Sequence, residues 1–327
     1  LSAQSVNKTS PGLRSNLHST AGGTLSFPNS PFKDAPWRAL AAGEKAQGGD
    51  PVETTVYLII VDGLRADFGR RYFAGINRWL KEGKAAYTTL RSGLPSDSRP
   101  SYALIATGVD GSVNTITSNG SRQRCPAPNI FGLARQKGLR TGGAMYHWWS
   151  ELFNKTPFDP ATDHRQYDLE RDIQDGYFYN SDETPDEVIF AKAREIRAHS
   201  RPHLLVIHPM SVDYAGDNLG GAASAAYREN CIRAGELTHQ FIEEVMAEEP
   251  GAYFIVTADH GARDQGGHGG DSDEERLVPC WLLGPKVRPI DEQETRDQRA
   301  LAPTILWLLG LAIPPHMTVP PLTHLFD

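Results

Sequence analysis

The sequence predicts an α/β fold, a mostly parallel central sheet flanked by helices on both faces. Three observations carry that expectation. The run Thr55-Val56-Tyr57-Leu58-Ile59-Ile60-Val61 is continuously apolar and β-branched and ends in Asp62-Gly63, as a strand covered on both faces reads. Similar runs recur at 141–146, 203–208, 253–257 and 278–283. Segments with apolar residues at helical spacing lie between them, and alternating strands and helices build a layered α/β body.

In chain order, residues 1–52 are rich in Ser, Gly, Pro, Asn and Ala without periodicity. They read as an extended or wrapping N-terminal arm, with a mobile tail as the other reading. Residues 53–327 read as one domain. After the 55–61 strand, Phe73 to Lys84 carries helical spacing, and Tyr102 to Ala106 is a short apolar helical segment behind Leu94-Pro95-Ser96-Asp97-Ser98-Arg99-Pro100. Ile130 to Lys137 is a short helix, followed by the 141–146 strand and the aromatic cluster His147-Trp148-Trp149. Ala222 to Glu249 is the longest helix, with Tyr227, Ile232, Leu237, Phe241, Val245 and Met246 near one stripe. Leu301 to Leu311 closes the body.

Composition narrows the function. Of 327 residues, 39% are hydrophobic and 22% charged, which excludes a wholly disordered chain. The net charge of −7 argues against a nucleic-acid polymer as partner, because neutralising phosphates needs a surplus of Lys and Arg. Cys125, Cys231 and Cys280 form no CxxC pair and read as three separate thiols, with one disulfide and a free thiol as the other reading. No apolar run approaches the roughly 18 residues of a spanning helix, so no membrane span is expected in this chain. The first residue is Leu1. The chain therefore reads as processed, truncated or tagged, and an extracytoplasmic location (periplasmic or secreted) is favoured over the cytoplasm.

Polar residues gather where the strands end, and in open α/β sheets ligands bind at that carboxyl edge. Asp62 follows the first strand, Asp213 the 203–208 strand, and Asp259-His260-Gly261 the 253–257 strand. His268 lies in Gly266-Gly267-His268-Gly269-Gly270, and Ser98 precedes an apolar helical segment. Taken singly, an Asp-Gly or an Asp-His-Gly is a turn, and His268 among glycines is a flexible loop. Jointly they set carboxylates, imidazoles and one hydroxyl on a single edge. Carboxylate and neutral imidazole are what a divalent cation of intermediate hardness takes. Glycines beside His268 allow positive φ and close backbone approach.

The set Val61-Asp62-Gly63-Leu64-Arg65-Ala66-Asp67, Ser98-Arg99-Pro100, Asp213-Tyr214-Ala215-Gly216-Asp217, Thr257-Ala258-Asp259-His260-Gly261 and Gly267-His268-Gly269 resembles the alkaline phosphatase superfamily. Within it, the sequence is most similar to the type I phosphodiesterase/nucleotide pyrophosphatase group and to the ethanolamine-phosphate transferases of glycolipid anchors. The resemblance implies an alkaline phosphatase-like catalytic domain over 53–327 and two divalent metal ions. Asp62, Ser98, Asp259 and His260 would hold one ion, and Asp213, Asp217 and His268 the other. Zinc comes first. Asp217 stands where the family pattern has His, and this harder ligand also admits manganese, magnesium, calcium or iron.

The resemblance further implies a small-molecule phosphate ester as substrate, a diester or pyrophosphate ahead of a monoester, cleaved through a phosphorylated Ser98. Arg99 is a candidate charge clamp on the phosphate, or else the partner of a surface acid. Asn119 resembles the family's phosphate-contacting Asn, and His147 is a candidate wall for the leaving group, with plain packing as the other reading. His203 and His208 read as core or edge residues. Three rivals share the scaffold. A phosphoryl or phosphoethanolamine transferase would use an alcohol in place of water. A sulfatase would need Arg at the fifth position of its Cys/Ser-x-Pro-x-Arg signature, where Tyr102 stands. A non-catalytic binding protein would have lost its metals, with Asp217 as the sign.

Overall fold

The structure, a computed structural model, describes residues 54–327, so the arm expected over 1–52 lies outside it. Its strands are β1 (Val56–Ile60), β2 (Ala85–Arg91), β3 (Thr141–Tyr146), β4 (Arg165–Tyr167), β5 (Asp175–Tyr179), β6 (Leu204–Ile207), β7 (Tyr253–Thr257), β8 (Leu277–Leu283) and β9 (Asp291–Asp297). They form a nine-stranded sheet in the order β4-β5-β3-β6-β1-β7-β8-β2-β9. From β5 through β3, β6 and β1 to β7 all neighbours are parallel. Strands β4 and β8 run against their neighbours, and β2 pairs parallel with the edge strand β9.

The unbroken apolar runs became the central strands. Every residue of β1, β3 and β6 is buried, so both faces of the sheet's centre are covered. The helices pack in two groups. One comprises Ala66–Tyr72, Ala74–Lys81, Asp186–Ser200 and Ala225–Glu248; the other comprises Ser98–Thr107, Ile130–Gln136, His147–Phe153 and Leu301–Leu308. Cys125, Cys231 and Cys280 are free and buried. No helix among the described residues is long and apolar enough to cross a membrane.

Two differences from the sequence expectation bear on the site. The segment expected as helical from Tyr102 instead starts at Ser98, and all ten residues to Thr107 are buried. Its polar opening hid the first turn, where Pro100 is tolerated because no intrahelical N–H bond is missed there. The aromatic cluster at 147–149 is the first turn of the helix His147–Phe153. Strand β9, Asp-Glu-Gln-Glu-Thr-Arg-Asp, carries no apolar face because it lies at the sheet's edge.

Candidate active site

Strands β1, β6 and β7 end side by side, and each delivers a polar residue just beyond its last rung. Asp62 follows β1, His208 follows β6, and Asp259 and His260 follow β7; all four are fully buried. The helix Ser211–Asn218 then brings Asp213 and Asp217 over the same edge. Gly63 makes that approach possible. Its φ is +71°, and a Cβ there would lie 2.8 Å from the Asp213 carboxylate, so the Asp-Gly is a close-approach point as well as a turn.

The two acids at the strand ends are held alike. Asp259 accepts hydrogen bonds at Oδ1 from the Gly63 and His260 backbone N–H groups, at 3.1 and 2.9 Å. Asp62 accepts at Oδ2 from the Tyr102 hydroxyl and, at 3.0 Å, from His208 Nε2. In each case the other oxygen (Asp62 Oδ1, Asp259 Oδ2) is buried and receives no hydrogen bond among the described residues; Asp213 Oδ1 is a third such atom. A buried carboxylate oxygen without a donor is costly unless something positive takes it. His260 lies among them, its Nε2 3.4 Å from Asp62 Oδ1, 3.3 Å from Asp259 Oδ2 and 3.0 Å from Ser98 Oγ. Its Nδ1 donates to the Gly261 carbonyl at 2.9 Å, leaving Nε2 bare and facing the acids.

His268 repeats the arrangement. Its Nδ1 donates to the Ser96 carbonyl at 3.0 Å with Asp97 at 3.5 Å, and its Nε2 faces Asp217 at 3.7 Å and Asp213 at 3.9 Å. Gly267 and Gly269, at φ +77° and +105°, shape the turn on either side. The His260 and His268 rings stack 3.9 Å apart. Two ligand sets result, Asp62 with Asp259 and His260, and Asp213 with His260 and His268, each with ligand atoms within 4.8 Å of one another. The three donorless oxygens and the outward-tied imidazoles fit divalent cations, which take carboxylate and neutral imidazole while a second shell holds each ligand.

Charge crowding says the same. Burial and the Asp62 charge push Asp213 and Asp259 well above the usual carboxylate range. Asp62 is held down to about 2 against its own burial, by the His208 hydrogen bond and the His260 and His208 charges. Burial and the His268 charge bring His260 down to about 3. His268 rises to about 10 despite its burial, through Asp97, Asp213 and Asp217. Acids this crowded cannot all ionise unless cations compensate them.

The remaining sequence candidates lie around Ser98. Ser98 opens its helix and is almost fully buried, which sets its hydroxyl at the positive end of the helix dipole. Asn119 Oδ1 accepts the Arg99 backbone N–H at 2.9 Å, so its Nδ2 group is the donor left over. The Arg99 guanidinium is buried. It donates to Glu151 at 2.5 Å and to the Ser121 carbonyl at 2.8 Å, with Trp148 stacked 4.6 Å away. That is a buried ion pair, unlike the surface pair the sequence left open. His147 is half-buried against Tyr146 and Phe158, and burial lowers its pKa. The sequence reading gave Tyr102 and Asp97 no role in the site and took His208 as a core or edge residue. Tyr102 is one helical turn from Ser98, and His208 ends a parallel strand as Asp62 does; both signals were present in the chain.

A model of the type I phosphodiesterase / nucleotide pyrophosphatase family matches residues 56–267, more than half of the chain. The chain belongs to that family. It shares with human GPI ethanolamine phosphate transferase 3, catalytic subunit, 30% identity over 115 residues, 34% of this chain and 10% of that protein. With GPI ethanolamine phosphate transferase 2 of Candida glabrata it shares 23% over 273 residues, 79% of this chain and 32% of that protein. The chain thus spans between a tenth and a third of the length of these curated relatives. Among solved structures, murine ectonucleotide pyrophosphatase / phosphodiesterase 5 superposes with a TM-score of 0.63 at 12% identity, over 80% of this chain and 96% of that one. The alkaline phosphatase PafA superposes with a TM-score of 0.62 at 10% identity, over 86% and 100%. At these identities the structures establish the fold alone, an alkaline phosphatase-like one.

Proposed function

We propose that this family member cleaves a phosphoric diester with Ser98 as nucleophile at a two-metal site. The observation that carries the reading is Ser98 Oγ 3.0 Å from His260 Nε2, beside the donorless oxygens of Asp62 and Asp259. Asp62, Ser98, Asp259 and His260 would hold one cation, and Asp213, Asp217 and His268 the other, with His260 near enough to serve both sets. Zinc suits the Asp/His sets, and Asp217 opens the second to manganese, magnesium, calcium or iron. When bound, the cations supply Lewis acidity that activates the serine hydroxyl and offsets phosphoryl charge.

Ser98 Oγ attacks phosphorus in line and gives up its proton. The Oγ–P bond forms as the bond to the ester oxygen breaks, and the alcohol leaves with the electron pair and gains a proton. Asn119 Nδ2 donates toward a phosphoryl oxygen, and the positive end of the Ser98 helix dipole faces the phosphoryl charge. Arg99 acts at one remove, holding that turn to the helix His147–Phe153 through Glu151. Trp148, stacked on Arg99 next to Ser98, and its neighbour His147 would wall the organic portion of the substrate. Ser98 now carries the phosphate as a seryl diester; water then attacks phosphorus, the Oγ–P bond breaks, Oγ takes back a proton, and the phosphate monoester leaves.

A second reading has a specific observation behind it. The curated relatives are named as ethanolamine phosphate transferases, and an alcohol acceptor in place of water would use the same intermediate. The test is turnover of p-nitrophenyl phosphate, bis-p-nitrophenyl phosphate and p-nitrophenyl sulfate with Zn, Mn, Mg or Ca, with and without added alcohols. The diester is expected to lead, and Ser98→Ala to lower its rate at least about a thousandfold with the fold intact. Near-normal turnover by Ser98→Ala would sink the nucleophile assignment, and alcohol-dependent ester formation would mark a transferase.

A further inference from the structure

Two buried side chains outside the candidate ligand sets converge on one oxygen of Asp62. We infer that Tyr102 and His208 are positioning residues that restrict Asp62 to coordinating its cation through Oδ1 alone; the inference rests on the two-metal reading above. The Tyr102 hydroxyl and His208 Nε2 both donate to Oδ2, while Oδ1 has no donor among the described residues. A carboxylate with both oxygens free can rotate and chelate one ion with the pair. With Oδ2 engaged twice, only Oδ1 remains and its direction is set.

The clamp is itself rigid. Tyr102 stacks on the fully buried Trp149, ring centroids 4.9 Å apart at 17°, and the His208 ring meets Tyr102 edge-on at 4.8 Å. The Tyr179 hydroxyl donates to the His208 carbonyl at 2.5 Å and lies 3.4 Å from its Nδ1. A carboxylate oxygen can only accept, so the His208 hydrogen sits on Nε2. Tyr102 also couples Asp62 to the nucleophile. Residues four apart share a helix face, so Tyr102 lies one turn from Ser98 on the same side. It occupies the fifth position of the serine motif, where the sulfatase signature has Arg, and delivers an uncharged donor there. Asp259 is clamped by backbone N–H groups, which no side-chain change removes. Asp62 relies on side chains, so its clamp can be dismantled.

The experiment strips the full chain of metal and titrates it with Zn2+ against a chromophoric chelator, with Co2+ absorption as a second readout. Circular dichroism confirms folding. The parent is expected to bind two ions. Tyr102→Phe keeps the ring on Trp149 and loses the hydroxyl. It should weaken one ion about ten- to a hundredfold, leave the other unchanged, and alter the Co2+ spectrum. His208→Leu should do the same, while His208→Gln, which places an N–H near the Nε2 position, should restore most of the affinity. Should Tyr102→Phe fail to fold, the contrast between His208→Leu and His208→Gln decides the matter. Two ions bound at parental affinity by folded Tyr102→Phe, or equal losses in His208→Leu and His208→Gln, would overturn the clamp. A parent chain that binds no ion would overturn the two-metal reading and the clamp with it.

Discussion

Asp217 stands where the pattern that the sequence resembles has His, and the proposed second cation set includes it. Its carboxylate lies 3.7 Å from His268 Nε2 and is partly open to solvent. As a ligand it would offer a harder oxygen donor than imidazole, which would lower the preference for zinc over manganese. Asp217→His should therefore raise the ratio of Zn-supported to Mn-supported diester turnover, by about tenfold on the softness argument. Parallel rate measurements with each metal, together with metal content per chain, check this. An unchanged ratio would mean that Asp217 is not a ligand.

At the scale of the element, the helix Ser211–Asn218 carries Asp213 and Asp217, and Asp186 anchors its start. Asp186, fully buried at the opening of the helix Asp186–Ser200, accepts the Met210 and Ser211 N–H groups at 3.2 Å and the Ser211 hydroxyl at 2.5 Å. Burial pushes its pKa up to about 6 even so, against the lowering effect of those hydrogen bonds. The folded chain thus binds this proton more tightly than the unfolded chain, whose Asp titrates near 3.9. The contribution of this group to stability is full below about pH 4 and is lost as pH rises through about 6. A rise of that size is worth roughly 3 kcal/mol. Asp186→Asn removes that ionisation, so the variant's stability relative to the parent should improve by about 2–3 kcal/mol between pH 4 and pH 7. Urea midpoints of both proteins at the two pH values measure the change, and a constant difference would contradict it.

Across the whole molecule, the two ligand sets draw on β1, β7, the helix Ser211–Asn218 and the loop around His268, segments that span 62 to 268 in the chain. Ions that bind only the folded chain stabilise it by mass action. At a hundredfold excess over Kd, one ion adds about 2.7 kcal/mol, roughly 5 °C in Tm for a body of this size. Chelation should lower Tm by about that much per ion, and Zn2+ or Mn2+ should restore it. A Tm indifferent to chelator would show that no ion bridges these segments.

Much of this was legible in the chain. The apolar runs at 55–61, 141–146 and 253–257 located central strands because burial on both faces leaves no room for polar positions. Asp62, Ser98, Asp213, Asp259, His260 and His268 stood out because strand ends and glycine-flanked loops are where an α/β sheet presents chemistry. Other features were not read. Strand β9 has no apolar face, and the polar first turn of the Ser98 helix masked where that helix begins. Only the tertiary structure decided which oxygen of each acid is free, that Arg99 turns to Glu151, and that Tyr102 and His208 meet on Asp62. The order of residues sets which groups reach the sheet edge; the directions of their lone pairs and hydrogens depend on neighbours from distant segments, which only packing brings together.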